Sequence, residues 1–360
     1  MLWALCGKNE EELAMYHPRL KGSHYEMGLH YGEILRKGGQ DFSSVLQLSP
    51  EQRGFGIACL SVCKTVVPEL CQEIKGLAEG LGVSCEDLSV WLLTMYGHDD
   101  VHGCTCFCYT DSGNTYLARN SDMFPELKDT CESILYRPDK GYIFLGHSTS
   151  FIQIEDGINE HGLAAGINFL MSKTFKPGLN TGMIVRHVLE SCRSVKEAID
   201  TIGSLPIATT QNIILADRSG DMAVVESSPR KIAVRRPQNG EAWLVSANHF
   251  VSEEMQAEHA NPEENWYRSC DRYTTVQTAL ASPTGKKDVA WAQELLGGKM
   301  GFICQYEKEM NFDTLWSALY DVSTLRIFCA EGNPSKTRFK ADTRLAWGIS
   351  KADPKPSYKK

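Results

Sequence analysis

No stretch of this 360-residue chain approaches 18 consecutive apolar residues, so no helix that spans a membrane is expected. The patterns that cradle nucleotides are missing too. No G-x-G-x-x-G follows a strand-like run and there is no P-loop, so the chain is expected to use no nucleotide and, more broadly, no cofactor. Basic clusters are absent. A formal charge of −8 and a pI near 5.7 give no electrostatic footprint for nucleic acid or an acidic lipid surface. The opening MLWALCGKNEEELAM has no basic region ahead of its short apolar run, which is not a secretory pattern. Thirteen cysteines, odd in number and irregularly scattered, do not read as a disulfide scaffold, and the expected setting is a reducing cytoplasm.

What is present suits a globular enzyme: 42% hydrophobic residues in a chain long enough for one large domain, or one domain with an N-terminal lobe. Helical periodicity is expected from Ser23 to the Gly38–Gly39 pair, over 58–81, and from Cys85 onward. A polar loop follows at 96–103. Strand signals then dominate: runs at 141–146 and 151–154, a turn over 156–162, and a strand at 163–169. A helix over 183–205 precedes three strands within 207–246, broken at 217–220 and 237–240. Helices are expected again at 264–281 and 288–297, strands at 314–321 and 325–329, and a flexible tail over 351–360. Strands without regular strand–helix alternation predict a two-sheet core with helices on both outer faces, not a doubly wound parallel sheet.

The chemistry concentrates in 102–122, HGCTCFCYTDSGNTYLARNSD. Alternation on either side of Asp111-Ser112-Gly113-Asn114 predicts a hairpin, which brings Cys104 near Arg119 and Asp122. A thiol beside a fixed cation and a carboxylate is a catalytic arrangement if the chain is cut before Cys104, so that the freed α-amine serves as base for its own thiol. Gly103 leaves that bond unhindered. The plainer alternatives are a Cys-rich core strand and an ordinary Arg–Asp surface pair. A metal reading of His98, His102, Cys104, Cys106 and Cys108 meets a geometric difficulty. The three cysteines share one strand face at about 6.6 Å intervals, awkward for a closed tetrahedral site, and no metal is expected.

Further blocks follow in order. They are Arg119-Asn120-Ser121-Asp122, Asp156-Gly157-Ile158-Asn159-Glu160-His161-Gly162-Leu163 with Gly166-Ile167-Asn168-Phe169, Asn248-His249-Phe250, and Ser269-Cys270-Asp271-Arg272-Tyr273. With Gly103-Cys104-Thr105, the helix opening at 22–28 and Thr314-Leu315-Trp316-Ser317, they span nearly the whole chain. The sequence resembles the acyl-coenzyme A:6-aminopenicillanic acid acyltransferase-like N-terminal-nucleophile hydrolases and, more distantly, the choloylglycine hydrolases. Ala247 departs from the pattern, since relatives often carry Thr before this Asn.

The resemblance implies an α+β fold of four αββα layers, two largely antiparallel sheets covered by helices. Residues 1–103 would be a helical pro-segment that stays associated with 104–360 after cleavage, and 104–350 the hydrolase domain. Cys104 would attack an acyl amide or acyl thioester, a small molecule, and pass through a cysteinyl thioester resolved by water or an amine. Asp122 would hold the α-amine, Arg119 would sit by the thiolate, and Arg272 would pair with Asp122. Asn168 and Asn248 would donate to the oxyanion. His249 invites a Cys–His dyad but reads as a pocket-shaping neighbour, and Phe169–Pro177 as one pocket wall. An aminoacyl-amine or fatty-amide hydrolase, an uncleaved metal- or partner-binding protein, and homo-oligomerisation all stay open.

Overall fold

In the computed structural model, residues 15–352 are described, apart from 40–41, 96–102, 239, 261–264 and 266. Strand β1 (Arg19–Gly22) leads into α1 (His24–Lys37). There the Ser23 hydroxyl accepts from Glu26 N and the Glu26 carboxylate reaches back to Ser23, a capping box that fixes where the helix begins. The helix expected over 58–81 is two: α2 (Pro50–Val66) and α3 (Pro68–Leu81). Pro68 has no N–H to continue α2 and drives Val67 out of helical conformation, to φ −141° and ψ 61°. Then α4 (Cys85–Thr94) starts on a Ser84 cap.

Helices α1 and α3 touch backbone to backbone. A Cβ on Gly28 would lie 2.0 Å from Glu73 O, and one on Gly76 2.1 Å from Tyr25 O. Gly32 and Gly80 repeat the contact one turn along. This close crossing carries the buried Glu73 to Arg186, with Nη2–Oε2 2.8 Å.

Beyond residue 102 run β2 (Gly103–Asp111), β3 (Asn114–Met123), β4 (Glu132–Pro138), β5 (Phe144–Ser148), β6 (Asp156–Asn159) and β7 (Ala164–Phe169). The expected hairpin is β2–β3, turned by Ser112 (φ 51°) and Gly113 (φ 80°), two left-handed residues that match strand twist. Its register sets Cys104 opposite Ser121 and Gly103 opposite Asp122. No strand forms at 151–154, and half of the expected turn at 156–162 is β6 instead. Asn159 Oδ1 accepts from His161 N and Leu163 N, confining the turn to Glu160–Gly162.

The helix expected over 183–205 is also two, α5 (Thr181–Ser191) and α6 (Val195–Ser204), because Ser194 caps a new helix by accepting from Glu197 N. Within 207–246 there are four strands, not three: β8 (Gln211–Ala216), β9 (Met222–Ser227), β10 (Ile232–Arg235) and β11 (Trp243–Ser246). The additional turn closes through Ser228 N on Lys231 O, around Pro229. The remaining elements are α7 (Glu253–Gln256), α8 (Ser269–Ala281), α9 (Val289–Leu296), β12 (Asp313–Asp321), β13 (Arg326–Ala330), β14 (Lys340–Asp342) and α10 (Arg344–Ser350).

The strands form an eight-stranded sheet, β1-β4-β5-β6-β7-β8-β9-β10, and a six-stranded sheet, β11-β2-β3-β12-β13-β14. Pairing is antiparallel except that β1 lies parallel to β4. The sheets face each other with β2 and β3 over β7 and β8; α5 and α6 cover one outer face, α8 and α9 the other. This is the α+β, αββα architecture. The N-terminal lobe is built into it. Besides β1 in the sheet and Glu73 on Arg186, His24 Nε2 lies 2.6 Å from Glu190 Oε1, and the Arg186 guanidinium rests over Tyr136 and Phe144. Among the described residues no helix is long and apolar enough to cross a membrane.

Candidate active site

Cys104 is the second residue of β2, and its side chain points between the sheets. Burial is nearly complete, at 1% exposure. The residue before it must be glycine for reasons of room. A Cβ on Gly103 would come within 2.7 Å of the Phe312 ring, and Gly103 has no left-handed φ.

Each polar group of Cys104 is held by a different buried side chain. Its N donates to Asn248 Oδ1 at 2.8 Å. Its O accepts from Asn168 Nδ2 at 2.9 Å and Arg272 Nη1 at 2.6 Å. Its Sγ receives Arg119 Nη2 at 2.9 Å. Both sheets and a helix deliver these partners: Arg119 from β3, Asn168 from β7 of the opposite sheet, Asn248 just past β11, and Arg272 from the first turn of α8.

Arg119 is itself locked. Nη1 meets Asp156 Oδ2 at 2.7 Å, Nη2 meets Glu155 Oε2 at 3.0 Å, and Nε donates to Ile167 O at 3.1 Å. Trp316 lies under the guanidinium, and its Nε1 donates to Asp156 Oδ2 at 2.9 Å. Burial alone would raise the Asp156 carboxyl. His147, Arg119 and the Tyr320 hydroxyl outweigh it and hold Asp156 below the usual carboxylate range. The second Glu155 oxygen accepts from Thr149 N and Oγ1.

Asp122 accepts from Thr314 Oγ1 at 2.6 Å and Tyr306 OH at 2.8 Å, with Arg272 Nη1 3.6 Å away. Burial pushes its carboxyl up to about 6 against the pull of Arg272, Thr314 and Tyr306. Burial also pushes the Cys104 thiol up to about 11. Arg119 and Arg272 offset part of this, while Glu155 and Asp122 add to it. In the intact chain the thiol is therefore protonated at neutral pH.

The Asp122 shift has a thermodynamic consequence. Its folded pKa lies above the ordinary 3.8, so the folded state binds this proton more tightly than the unfolded one, and stability falls as pH rises from about 4 to 6. Asp122→Asn removes that slope. Relative to wild type, the variant is expected to gain about 2 kcal/mol between pH 4 and pH 7 in urea unfolding. An unchanged difference at the two pH values would contradict a raised pKa.

The sequence-expected residues thus converge: Cys104, Arg119, Asp122, Asn168, Asn248 and Arg272 form one buried cluster. Two details differ from expectation. Asn248 turns its oxygen to Cys104 N and its Nδ2 to Phe169 O, and Asn168 Nδ2 sits on the Cys104 carbonyl, so both amides hold main chain. Arg272 does pair with Asp122, at 3.6 Å, as expected, but it also binds Cys104 O, Thr105 Oγ1 and Asn248 Oδ1, and more closely. His249 is engaged elsewhere, its Nδ1 2.7 Å from Ser269 Oγ; burial first, then Arg272, lowers its pKa to about 4. Cys106 and Cys108 share the Cys104 face, each facing a carbonyl of the opposite sheet. His98 and His102 lie outside the described residues, among which no group of three or more His, Cys, Asp or Glu side chains could hold a metal. Sequence reasoning missed Glu155, Tyr306, His147 and Tyr320. Glu155 adjoins a recognised block, whereas Tyr306 stands in a stretch with no pattern at all.

A family model described as acyl-coenzyme A:6-aminopenicillanic acid acyl-transferase matches residues 108–336. No curated protein matches the chain. Among solved structures, penicillin V acylase from Agrobacterium tumefaciens aligns with TM-score 0.48 and 20% identity, over 66% of this chain and 85% of its own. A variant of conjugated bile acid hydrolase from Clostridium perfringens aligns with TM-score 0.48 and 14% identity, over 67% of this chain and 93% of its own.

Proposed function

The chain belongs to the acyl-coenzyme A:6-aminopenicillanic acid acyl-transferase family, whose type of chemistry is amide-bond hydrolysis and acyl transfer, and we propose that it is a self-cleaving cysteine amidohydrolase or N-acyltransferase with Cys104 as nucleophile. The observation that carries this reading is the separate grip on the N, O and Sγ of one buried cysteine. A structural cysteine in a strand can leave its N and O to the ladder and its Sγ to apolar packing; a residue that must be nucleophile and base at once needs all three atoms placed by side chains.

In the first step Cys104 Sγ attacks the Gly103 carbonyl and the peptide nitrogen leaves. That nitrogen takes up the thiol proton and becomes the free Cys104 amine, where Asn248 Oδ1 already accepts from it; water then hydrolyses the Gly103–Cys104 thioester, releasing the Gly103 carboxylate and restoring the Cys104 thiol. In turnover that amine takes the thiol proton, and the thiolate, beside Arg119, attacks the carbonyl of an acyl amide or acyl thioester. The amine or thiol leaving group departs with the proton, and water or an acceptor amine resolves the acyl-cysteine. Asp122 supports the amine's setting through its partners, and Arg272 fixes the Cys104 main chain. Oxyanion stabilisation is the second task we assign to Asn168 and Asn248, through amide N–H groups re-aimed once an acyl group occupies the site.

Residues 1–103 would remain bound as the smaller subunit, since β1 and Glu73 are parts of the larger one's sheet and ion network. Intact mass under denaturing, reducing conditions tests the scheme. Two species are expected: 103 of 360 residues of the 40.1 kDa chain, about 11.5 kDa, and the remaining ~28.6 kDa beginning at Cys104. A single full-length species from active protein would sink the proposal and favour the binding-protein reading.

A further inference from the structure

A second pair of thiols lies far from Cys104 in sequence and in the helical lobe. Cys63, in the last turn of α2, and Cys71, in the first turn of α3, face each other across the Val67–Pro68 break. Their sulfurs are hydrogen bonded at 3.2 Å, the one such sulfur pair among the described residues. Pro68 produces this meeting: without the break, residues eight apart on one helix would sit about 12 Å apart along the axis. The two thiols are unlike. Cys63 is fully buried, whereas Cys71 is half-buried and reachable from outside. The hydrogen bond to Cys71, then burial, push the Cys63 thiol up; the same bond pulls the Cys71 thiol down, and Lys64 adds to that. One sulfur is therefore suited to react and the other to resolve.

We propose that Cys63 and Cys71 form a reversible oxidation site that accepts low-molecular-weight disulfides of the glutathione type and closes to an intramolecular disulfide between α2 and α3. The Cys71 thiolate attacks one sulfur of the small disulfide, forming a mixed disulfide and releasing one small thiolate, which takes up a proton. Cys63 then loses its proton, and its sulfur attacks the Cys71 sulfur and expels the second small thiol. Two protein thiols are oxidised and one small disulfide is reduced to two thiols. The sulfurs need to close by only about 1 Å to reach disulfide length. The product staples α3, which carries Glu73, to α2, whose Phe55 ring packs edge-on against Phe175 at 6.2 Å.

The test uses the full chain, incubated with oxidised glutathione, denatured, blocked with N-ethylmaleimide and digested with trypsin. Cleavage after Lys64 separates the two cysteines, into peptides 54–64 and 65–75. The expected result is loss of the two maleimide-labelled peptides at Cys63 and Cys71 in favour of a cross-linked pair. That pair is lighter by two hydrogen atoms than the unlinked thiol peptides together, carries label on Cys59, and is reversed by dithiothreitol. Cys63→Ser is expected to stop at a glutathione adduct on Cys71, and Cys71→Ser to leave Cys63 labelled. The exposed Cys85 and Cys270 report general reactivity. A Cys71 adduct that accumulates in the wild type without cross-linking would overturn the proposal. So would modification of Cys85 and Cys270 while Cys63 and Cys71 stay labelled.

Discussion

Replacing Cys104 with alanine is expected to leave one species at the full 40.1 kDa and no turnover of any acyl substrate. Both losses would have the same cause, since in the proposed scheme one sulfur performs self-cleavage and substrate attack. In hydrolases where a side-chain nucleophile is deleted, the loss in kcat is about 10⁶-fold. Folding should survive the change. Arg119 keeps Glu155, Asp156 and Ile167 O when the thiol is gone, so no buried charge is stranded. The checks are intact mass, acyl release and urea midpoint on the same preparation. Two fragments from the alanine variant would show that another protease makes the cut, and the proposed role of Cys104 would fall. Cys104→Ser separates the steps further. A hydroxyl ionises far less readily than a thiol, so slow, incomplete cleavage is expected.

The second large effect is expected from Arg119→Met. The guanidinium is fully buried and binds two carboxylates, Glu155 and Asp156, as well as Cys104 Sγ. Removing one member of a buried ion network costs about 3–5 kcal/mol, because the partners keep their desolvation without their attraction. The unfolding free energy from urea titration should drop by that amount and cleavage should be lost. Adding Asp156→Asn should restore part of the stability, since it deletes one stranded charge, but no activity. Wild-type stability in Arg119→Met would mean that the buried network does not depend on the guanidinium, and the stabilising role given to these ion pairs would fall. An exposed pair such as Lys196–Asp200 gives the baseline, expected within about 0.5 kcal/mol on substitution.

Much of this site is readable before any coordinates because its first members are local. A two-residue turn with Gly113 fixes the β2–β3 register, and the register alone sets Cys104 beside Ser121 and Asp122. The two helices read as one at 58–81 show where periodicity misleads: the apolar spacing runs smoothly through Pro68, while the backbone does not. The same happens at Ser194, where a cap interrupts an unbroken apolar stripe. The amide orientations of Asn168 and Asn248 had no signal in the sequence. Which end of an amide faces Cys104 is decided by carbonyls and an arginine brought from β7, the segment after β11 and α8. Tyr306 and Thr314 reach Asp122 from nearly two hundred residues away, a distance over which no spacing rule acts.

The parallel strand that residues 19–22 add beside β4 gives the proposed cut a further meaning. While the chain is intact, β1 and the Glu73–Arg186 contact are tethered, and a melted molecule can search for them within itself. After the bond before Cys104 opens, the same strand and the same carboxylate belong to a separate molecule. Reassembly would then depend on the concentration of a partner rather than on a loop, and a heated sample would cool along a different path from the one it took up. Cleavage would thus act as a ratchet on folding. On the proposed scheme the intact chain would be able to renature repeatedly, whereas a processed enzyme would have one folding history and no simple return from its loss.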